Sequence, residues 1–422
     1  MRVKMMLPVL AVLCAACARE RLSPETVQQR KQEIISEVKQ SREREAWLLY
    51  MKLVGDTRVD YHPDALFILA RSMLVQGLAD DDPSVRRKVL DVLDYADDAF
   101  AASEAIKHLG DTDISVQRAA VDLIRRLGNP AARPLLYPLL RKTDGVVETE
   151  RLKMHTVYAI ARLHDKTLPI APAVMGISSP ASNVRAAAAT ALGELGNRDA
   201  IPALRRALFR DEVWEVNTVA VVALLKLGER ATVEDFALRA AESDQPEKIG
   251  WAIEMREAYE VGPTVNWIIQ RGTFHPSPVV RACAAAALGS MRVGVAKQRL
   301  KEMMESQLEM IAVSSVAYAL ALLDEPGNVH WIARAAELEP AELRVTAIRY
   351  MARLDADRHA RLFTQRLDDP DAGVRMAAVE ALRKVPPEKA LPGLGYALGD
   401  EADSVRFAVA AIACKMIAAE SE

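Results

Sequence analysis

Apolar residues recur along this chain at the spacing of one face of an α-helix. In the cleanest copy, which starts at Val184 and ends at Leu195, apolar residues stand 4, 7, 8 and 11 positions after the first valine. This stripe predicts a helix that buries one face. The same frame occurs in eleven copies between about residue 80 and the C-terminus, one of them degenerate. The copies begin at Val85, Val116, Leu152, Val184, Val216, Trp251 (the degenerate copy), Val280, Ile311, Leu343, Val374 and Val405.

Most of the copies are 31 or 32 residues apart, and this length accommodates two helices and two turns. A fixed period of this size is typical of a solenoid, in which each repeat buries its apolar face against its neighbours. Gly196-Asn197 marks a turn, and Asp82-Pro83 places a capping side chain before a proline at a helix start. The pattern predicts an all-α fold, an α-solenoid superhelix of about eleven two-helix repeats.

The composition favours the same fold class. Half of the 422 residues are apolar, only 5% are aromatic and 19 are glycine, a mixture that suits helices better than a sandwich or barrel. The net charge is −3. Sequence-independent nucleic-acid binding needs a surplus of lysine and arginine, so we expect no nucleic-acid partner.

An arginine follows the first apolar residue in several copies, and an aspartate lies six residues before that position in five of them. These aspartates are Asp80, Asp111, Asp211, Asp369 and Asp400. The aspartate is absent at Ser179, His275 and Leu338. Together with the alanine-rich spacing, this pattern resembles HEAT repeats, in particular the short type named after phycobilisome lyases.

The resemblance implies a ladder of hydrogen bonds between aspartate and arginine side chains of successive repeats. Such charge-assisted pairs would fix the register between layers. The ladder positions in this chain are Asp80, Arg86, Asp111, Arg185, Asp211, Arg281, Arg344, Asp369, Arg375, Asp400 and Arg406. The resemblance also implies that the helices carrying the arginines line a concave face, which is where recognition is expected.

The first 17 residues have the pattern of an export signal. Arg2 and Lys4 precede twelve uncharged, mostly apolar residues, a stretch too short to span a bilayer but suited to a signal peptide. The segment resembles a bacterial lipoprotein signal, which implies lipidation of Cys17, although Cys14 stands where such signals usually carry leucine. An ordinary signal peptide or a buried helix are the alternatives. We expect an outer-membrane lipoprotein facing the periplasm, or otherwise a periplasmic or secreted protein.

These features divide the chain into a signal peptide (1–17), a tether with N-terminal capping helices (18–79) and the repeat solenoid (80–422). The end of the solenoid, residues 405–419, is nearly all apolar, and no polar capping helix follows it. We expect this helix either to pack on its neighbour with an exposed flank or to form a docking surface for a partner or a second copy.

The chain lacks the short motifs of catalysis and metal binding. None of its seven histidines belongs to a His-Glu-x-x-His motif or a His-Glu pair, and no phosphate-binding loop or Gly-x-Ser-x-Gly turn is present. Cys283 and Cys414 lie four repeats apart, which is roughly 40 Å in a stack of helical layers, too far for a disulfide. We expect no cofactor, no metal and no enzymatic activity.

Two helices, 216–227 and 311–322, are apolar on nearly every side and must be covered, either by tightly curved neighbours or by a partner. Trp251, Tyr259 and Trp267 lie near this zone and form a candidate partner groove, or they mark a kink in the superhelix. We expect an exported, lipid-anchored scaffold that binds proteins on its concave face. The alternatives are an exported enzyme or lyase-like module with a ligand site in the groove, and a passive spacer.

Overall fold

In a computed structural model of the chain, residues 22–57, 61–142, 144–306 and 309–421 are described. They are mainly helical and contain no β-strand within those ranges. The leader, with Cys17 and the expected cleavage site, lies outside the described residues. The chain forms two compact units: a terminal unit made of residues up to 123 and from 357 onward, and a central unit of residues 124–356.

The described ranges hold twenty-three α-helices. They are α1 Pro24–Lys39, α2 Glu43–Thr57, α3 Pro63–Leu78, α4 Pro83–Val92, α5 Asp98–His108, α6 Ile114–Leu127, α7 Val147–Arg162, α8 Ala171–Gly176, α9 Ser182–Leu195, α10 Ile201–Arg210, α11 Trp214–Lys226, α12 Arg230–Ala241, α13 Pro246–Tyr259, α14 Val265–Gln270, α15 Pro278–Ser290, α16 Lys297–Glu305, α17 Met310–Leu322, α18 His330–Ala335, α19 Ala341–Asp355, α20 Ala360–Arg366, α21 Ala372–Leu382, α22 Pro387–Ala397 and α23 Asp403–Ser421. Short 3-10 helices occupy Leu93–Tyr95, Pro130–Leu135, Tyr137–Arg141, Arg198–Ala200, Gly272–Phe274, Gly294–Ala296 and Pro326–Asn328.

From α3 onward these elements pair into two-element layers, and the second helix of each layer carries one copy of the repeat frame. The first residues of most frames, Val184 and Val280 among them, are almost fully buried. Before α7 the first helix is replaced by two 3-10 segments, Pro130–Leu135 and Tyr137–Arg141. Prolines in that stretch lack the amide hydrogen an α-helix needs. The all-α solenoid predicted from the sequence period is confirmed.

Glycines set the closest approaches between second helices of neighbouring layers. A Cβ atom added to Gly193 of α9 would lie 2.6 Å from the Cα atom of Ala223 in α11. One added to Gly289 of α15 would lie 2.4 Å from the Cα atom of Ala319 in α17. Because a side chain at either glycine would collide with the backbone of the facing helix, only glycine fits there. The backbones of these neighbouring helices therefore lie in direct contact.

In the terminal unit, helices from the two ends of the chain pack together. Phe407 of α23 is only 5% exposed, and its ring would lie 2.9 Å from a Cβ atom added to Gly77 of α3. The ring of Trp47 in α2 packs directly on Gly399, where an added Cβ atom would lie 2.4 Å from it. Its Nε1 donates a 3.1 Å hydrogen bond to the carbonyl oxygen of Gly395. The first repeats are therefore covered by the last ones.

Residues 405–419 pack on neighbouring helices with a modest exposed flank, which was the first of the two expectations. Most of these residues up to Ile417 are buried, and Lys415 and Ala419 are exposed. The neighbours include α3 and α4 of the same chain, which the sequence pattern did not predict. An ion pair between Lys88 and Asp403, 2.9 Å long, joins the same elements. None of the helices in the described ranges is long and apolar enough to span a membrane.

Candidate functional site

The arginines of the repeat signature bind the turn of their own layer. Nη1 of Arg375 donates hydrogen bonds to the carbonyl oxygens of Asp369 and Pro370, 2.9 and 3.2 Å away. The same pair of bonds, to carbonyls six and five residues earlier, is made by Arg86, Arg185, Arg281 and Arg406. Arg344 donates to the carbonyl of Leu338. These bonds satisfy carbonyl oxygens of the turn that have no hydrogen-bond partner within a helix.

Three of these arginines also reach an aspartate of the next layer. Arg375 binds Asp400 through two hydrogen bonds of 2.7 and 2.9 Å, and both side chains are 6% exposed. Equivalent two-pronged pairs join Arg86 to Asp111 and Arg185 to Asp211. Planar pairs of this kind fix orientation as well as charge, so they hold successive layers in register.

The other three arginines pair differently. Arg281 binds Glu309 of the next layer, and that glutamate is 56% exposed. Arg344 pairs with Glu339 in its own turn, 2.8 Å away, and Arg406 pairs with Asp403 at the start of its own helix. The buried, layer-to-layer form of the contact therefore occurs at only some positions of the expected ladder.

The aspartate position has a second role that explains its replacements. Asp80, Asp111, Asp211, Asp369 and Asp400 each accept a hydrogen bond from the backbone N–H two residues later. Where the aspartate is absent, Ser179 Oγ accepts this bond from Ala181 at 3.3 Å, and His275 Nδ1 accepts it from Ser277 at 3.1 Å. The turn is thus capped at Ser179 and His275, two of the three positions where the sequence departs from the repeat signature.

The hydrogen bonds from Arg185 hold the pKa of Asp211 below its usual value, against burial, which raises it. A carboxyl with a depressed pKa contributes stability above its unfolded pKa of about 3.9, and this is lost as the pH falls through the folded value. We expect Asp211→Asn to lower the free energy of unfolding by roughly 1.5–3 kcal/mol at pH 7. The deficit should shrink as the pH falls from about 5 towards 2.

Urea denaturation at several pH values would measure this effect. Asp235→Asn is the matched control, because the pair of Asp235 with Arg239 is exposed and its loss should change the free energy by less than about 0.5 kcal/mol. A deficit for Asp211→Asn that stays constant between pH 7 and pH 2 would contradict the pairing.

A cleft of about 420 Å³ opens in the central unit, along the second helices of three successive layers, α9, α11 and α13. It is lined by Thr190, Thr218, Val219, Val222, Trp251, Glu254, Met255, Ala258 and Tyr259. Most of this wall is apolar, and Val219 and Val222 are half-buried. The cleft thus partly exposes the apolar side of α11. The second nearly all-apolar helix, α17, is covered by its own chain, with residues 314–320 buried.

The aromatic edge of the cleft is fixed in place by other rings. Trp251 meets Trp214 edge-on with ring centroids 5.2 Å apart, and it meets Phe236 in the same manner at 5.7 Å. Trp214 and Phe236 stack on each other at 5.7 Å. Rings in edge-to-face contact stabilise one another beyond their buried area. Trp251 is therefore presented to the cleft in one orientation.

Glu254 brings a carboxyl group to this wall. Burial raises its pKa above the usual value, and the neighbouring Glu257 carboxylate adds to the increase. No residue of the described ranges forms a hydrogen bond or ion pair with the Glu254 carboxylate. Besides Tyr259 it is the only titratable side chain in the lining, so the cleft does not pair two carboxyls for acid–base chemistry.

The structure brings together two of the three residues of the candidate partner groove. Trp251 and Tyr259 line the cleft. Trp267 does not line it, although it packs, like Trp251, against the buried Ala240 and Ala252. Glu254 was not predicted from the sequence. Val219 and Val222 could have indicated the cleft, because they stand three and six residues after Val216. These two positions do not belong to the buried stripe of the repeat frame.

Chemistry elsewhere in the described ranges is sparse. No three side chains of His, Cys, Asp or Glu gather there in a way that would hold a metal ion. Cys283 and Cys414 are free thiols, and burial raises their pKa values to about 11 and about 12. Thiols with such pKa values stay protonated at neutral pH and are weak nucleophiles.

The layered helices and their arginine-bound turns define an α-solenoid of HEAT type. HEAT repeats match residues 72–153, 170–257 and 329–414, which together exceed half of the chain. The chain therefore belongs to the HEAT-repeat family. HEAT repeats generally mediate protein–protein interactions as scaffolds.

Three solved structures are among those similar to this chain. An engineered protein is 17% identical, with a TM-score of 0.28, over 82% of this chain and 98% of its own. The complex of CpcE and CpcF of phycocyanin lyase from Nostoc sp. PCC7120 is 16% identical, with a TM-score of 0.24, over 67% of this chain and 87% of the other. Kap95p, in a structure with RanGDP, is 13% identical, with a TM-score of 0.35, over 81% of this chain and 54% of its own. No curated protein matches the chain.

Proposed function

We propose that this HEAT-repeat protein is an exported, lipid-anchored scaffold of the bacterial cell envelope, which holds a protein partner in the α9–α11–α13 cleft. The observation that carries the binding role is the cleft itself, an apolar wall edged by the fixed ring of Trp251. Tryptophan and tyrosine are preferred anchors of interfaces, and three adjacent helices offer a groove for one face of a partner segment.

A photo-activated cross-linking amino acid at Val222 in the full-length chain tests this role. We expect it to capture one partner segment, whose affinity for the scaffold is then measured with the purified partner. Trp251→Ala should weaken binding about 30-fold, since truncating an aromatic anchor costs about 2 kcal/mol.

Trp331→Ala is the matched control, because Trp331 lies in α18 and does not line the cleft. Tyr259→Ser is a second cleft variant that leaves the aromatic cluster intact. Equal affinity of the wild type and both cleft variants, or no cross-linked segment at all, would overturn the assignment of the cleft.

The sequence of the leader supports export and lipidation. The positive start, the short apolar stretch and the small residues before Cys17 agree with a lipoprotein signal, whereas Cys14 departs from its usual leucine. Two or three acyl chains on one cysteine suffice for stable membrane anchoring, whereas a single chain does not. Removing Arg2 and Lys4 with the leader leaves a mature net charge of −5.

Mass spectrometry of the mature N-terminus tests the anchor. We expect an acylated cysteine at position 17, and we expect Cys17→Ser to move the protein from the membrane fraction to the soluble fraction. A mature chain that retains Met1, or an unmodified Cys17, would contradict lipidation while leaving the cleft untouched.

A further inference from the structure

The cleft contains one charged group that the fold itself leaves without a counterion. Glu254 lies among Val219, Val222 and Met255, and no described residue pairs with it. The charge that acts on it most is Glu257, which repels it. Glu254 is exposed to solvent in the free chain, but an occupant of the cleft would cover its carboxylate. A covered carboxylate is unfavourable unless it is paired, so the cleft favours an occupant that brings a positive charge.

Basic side chains nearby are engaged elsewhere. Lys226 of α11 pairs with Glu194. Arg256 of α13 donates to the carbonyl oxygens of Gly262 and Pro263 and approaches Glu234. Lys248, at the start of α13, lies over the ring of Trp214, 5.2 Å from its centroid. These basic side chains of the described ranges therefore leave Glu254 without a counterion, and a bound partner could supply one.

We propose that the cleft binds a lysine or arginine side chain that projects from an apolar segment of the partner, with its charge on Glu254 and its methylene stem on Val219, Val222 and Met255. Long basic side chains routinely place an apolar stem on apolar surface while the charged end meets a polar group. The rings of Trp251 and Tyr259 add faces that attract cations. This inference rests on the proposed scaffold function and specifies the chemistry of its partner.

Charge complementarity then sets the selectivity of the cleft. A segment with an acidic side chain at the same place would bring two carboxylates together, and like charges in close contact disfavour binding. An uncharged segment would leave Glu254 buried without a partner. Basic–apolar segments are thus accepted, and acidic or purely apolar ones are rejected.

Two synthetic amphipathic peptides test the inference on the full-length chain. One carries a single lysine in the centre of its apolar helical face, and the other carries norleucine there. We expect the lysine peptide to bind the wild type at least about tenfold more tightly, which corresponds to about 1.4 kcal/mol. Glu254→Gln should abolish this preference, whereas Glu247→Gln, which changes a glutamate of the same helix outside the cleft lining, should keep it.

Equal affinity of the two peptides for the wild type, binding of neither, or an unchanged preference in Glu254→Gln would overturn the inference. Hexylammonium binding as tightly as the lysine peptide would also overturn it, because the site would then recognise small amines. A Val222 cross-link to a partner segment without a basic residue would leave the scaffold function standing while the inference fails.

Stability provides a readout that a merely structural role of Glu254 would not give. A carboxyl whose folded pKa is raised makes the folded state less stable as the pH rises above the unfolded value of about 4.3. Glu257 of the same helix and Cys283 of α15 interact with Glu254 electrostatically. Because Glu254 is exposed and solvent screens the effect, we expect Glu254→Gln to raise the melting temperature by no more than about 2 °C at pH 7 and to leave it unchanged at pH 4. A lower melting temperature at pH 7 would indicate a structural role.

Discussion

Replacing Phe407 with alanine should lower the free energy of unfolding by about 3–5 kcal/mol. The ring is almost fully buried and fills the space left by Gly77 on the facing helix. Truncation removes apolar contacts and leaves a cavity between helices that come from opposite ends of the chain. Denaturant unfolding of the full-length protein would measure the loss.

Phe274→Ala is the matched control for this substitution. The ring of Phe274 is 62% exposed, and Arg299 lies over it at 3.5 Å, so its loss should cost about 1 kcal/mol or less. Hydrogen exchange of α3 amides should accelerate in Phe407→Ala and stay unchanged in Phe274→Ala. A cost below about 1 kcal/mol, with α3 still protected, would show that α23 does not hold α3 in place.

The second large effect is expected for Arg375→Met, at about 3–5 kcal/mol. The substitution leaves the carboxylate of Asp400 in a site where the pair is 6% exposed on both sides. An ion without its partner at such a site is strongly destabilising, whereas replacing both charges with apolar groups recovers much of the loss. The double variant Arg375→Met/Asp400→Leu should therefore be more stable than Arg375→Met alone.

Arg281→Met is the control for the buried pair. Arg281 binds the same two turn carbonyls, but its carboxylate partner, Glu309, is exposed to solvent. Its loss should cost less, because an exposed pair contributes about 1 kcal/mol at most. Equal costs for the two arginines would show that the turn carbonyls, and not the carboxylate, account for the stability. Urea unfolding of the wild type and the three variants measures all of these differences.

Much of the fold could be predicted because its rule is local. Each second helix repeats one stripe of apolar residues, and each stripe can be read within twelve consecutive positions. The packing of α23 on α3 could not be predicted in this way, because Phe407 and Gly77 belong to helices that no local pattern relates. The apolar sequence of α23 is equally compatible with a partly exposed surface, with cover by a partner and with cover by its own chain.

The candidate sites show a similar division. The aspartate and arginine positions stand at fixed offsets in the sequence, but whether a pair is buried, as at Asp400, or replaced, as at Glu309, depends on the neighbouring layer. Trp251 and Tyr259 were detectable as aromatic residues at helical spacing. Glu254 was not, since a glutamate on a helix is most often solvated, and only the walls contributed by α9 and α11 distinguish it.

The cover that α23 gives to α3 and α4 has a consequence for the order in which the protein matures. A polypeptide is made from its N-terminus at about 5–20 residues per second, so α3 leaves the ribosome tens of seconds before the residues of α23 exist. During that interval the apolar face of α3 that α23 later covers stays exposed to solvent, although α1, α2 and α4 can already pack against other parts of α3. The unit that contains the earliest helices is thus among the last to be completed.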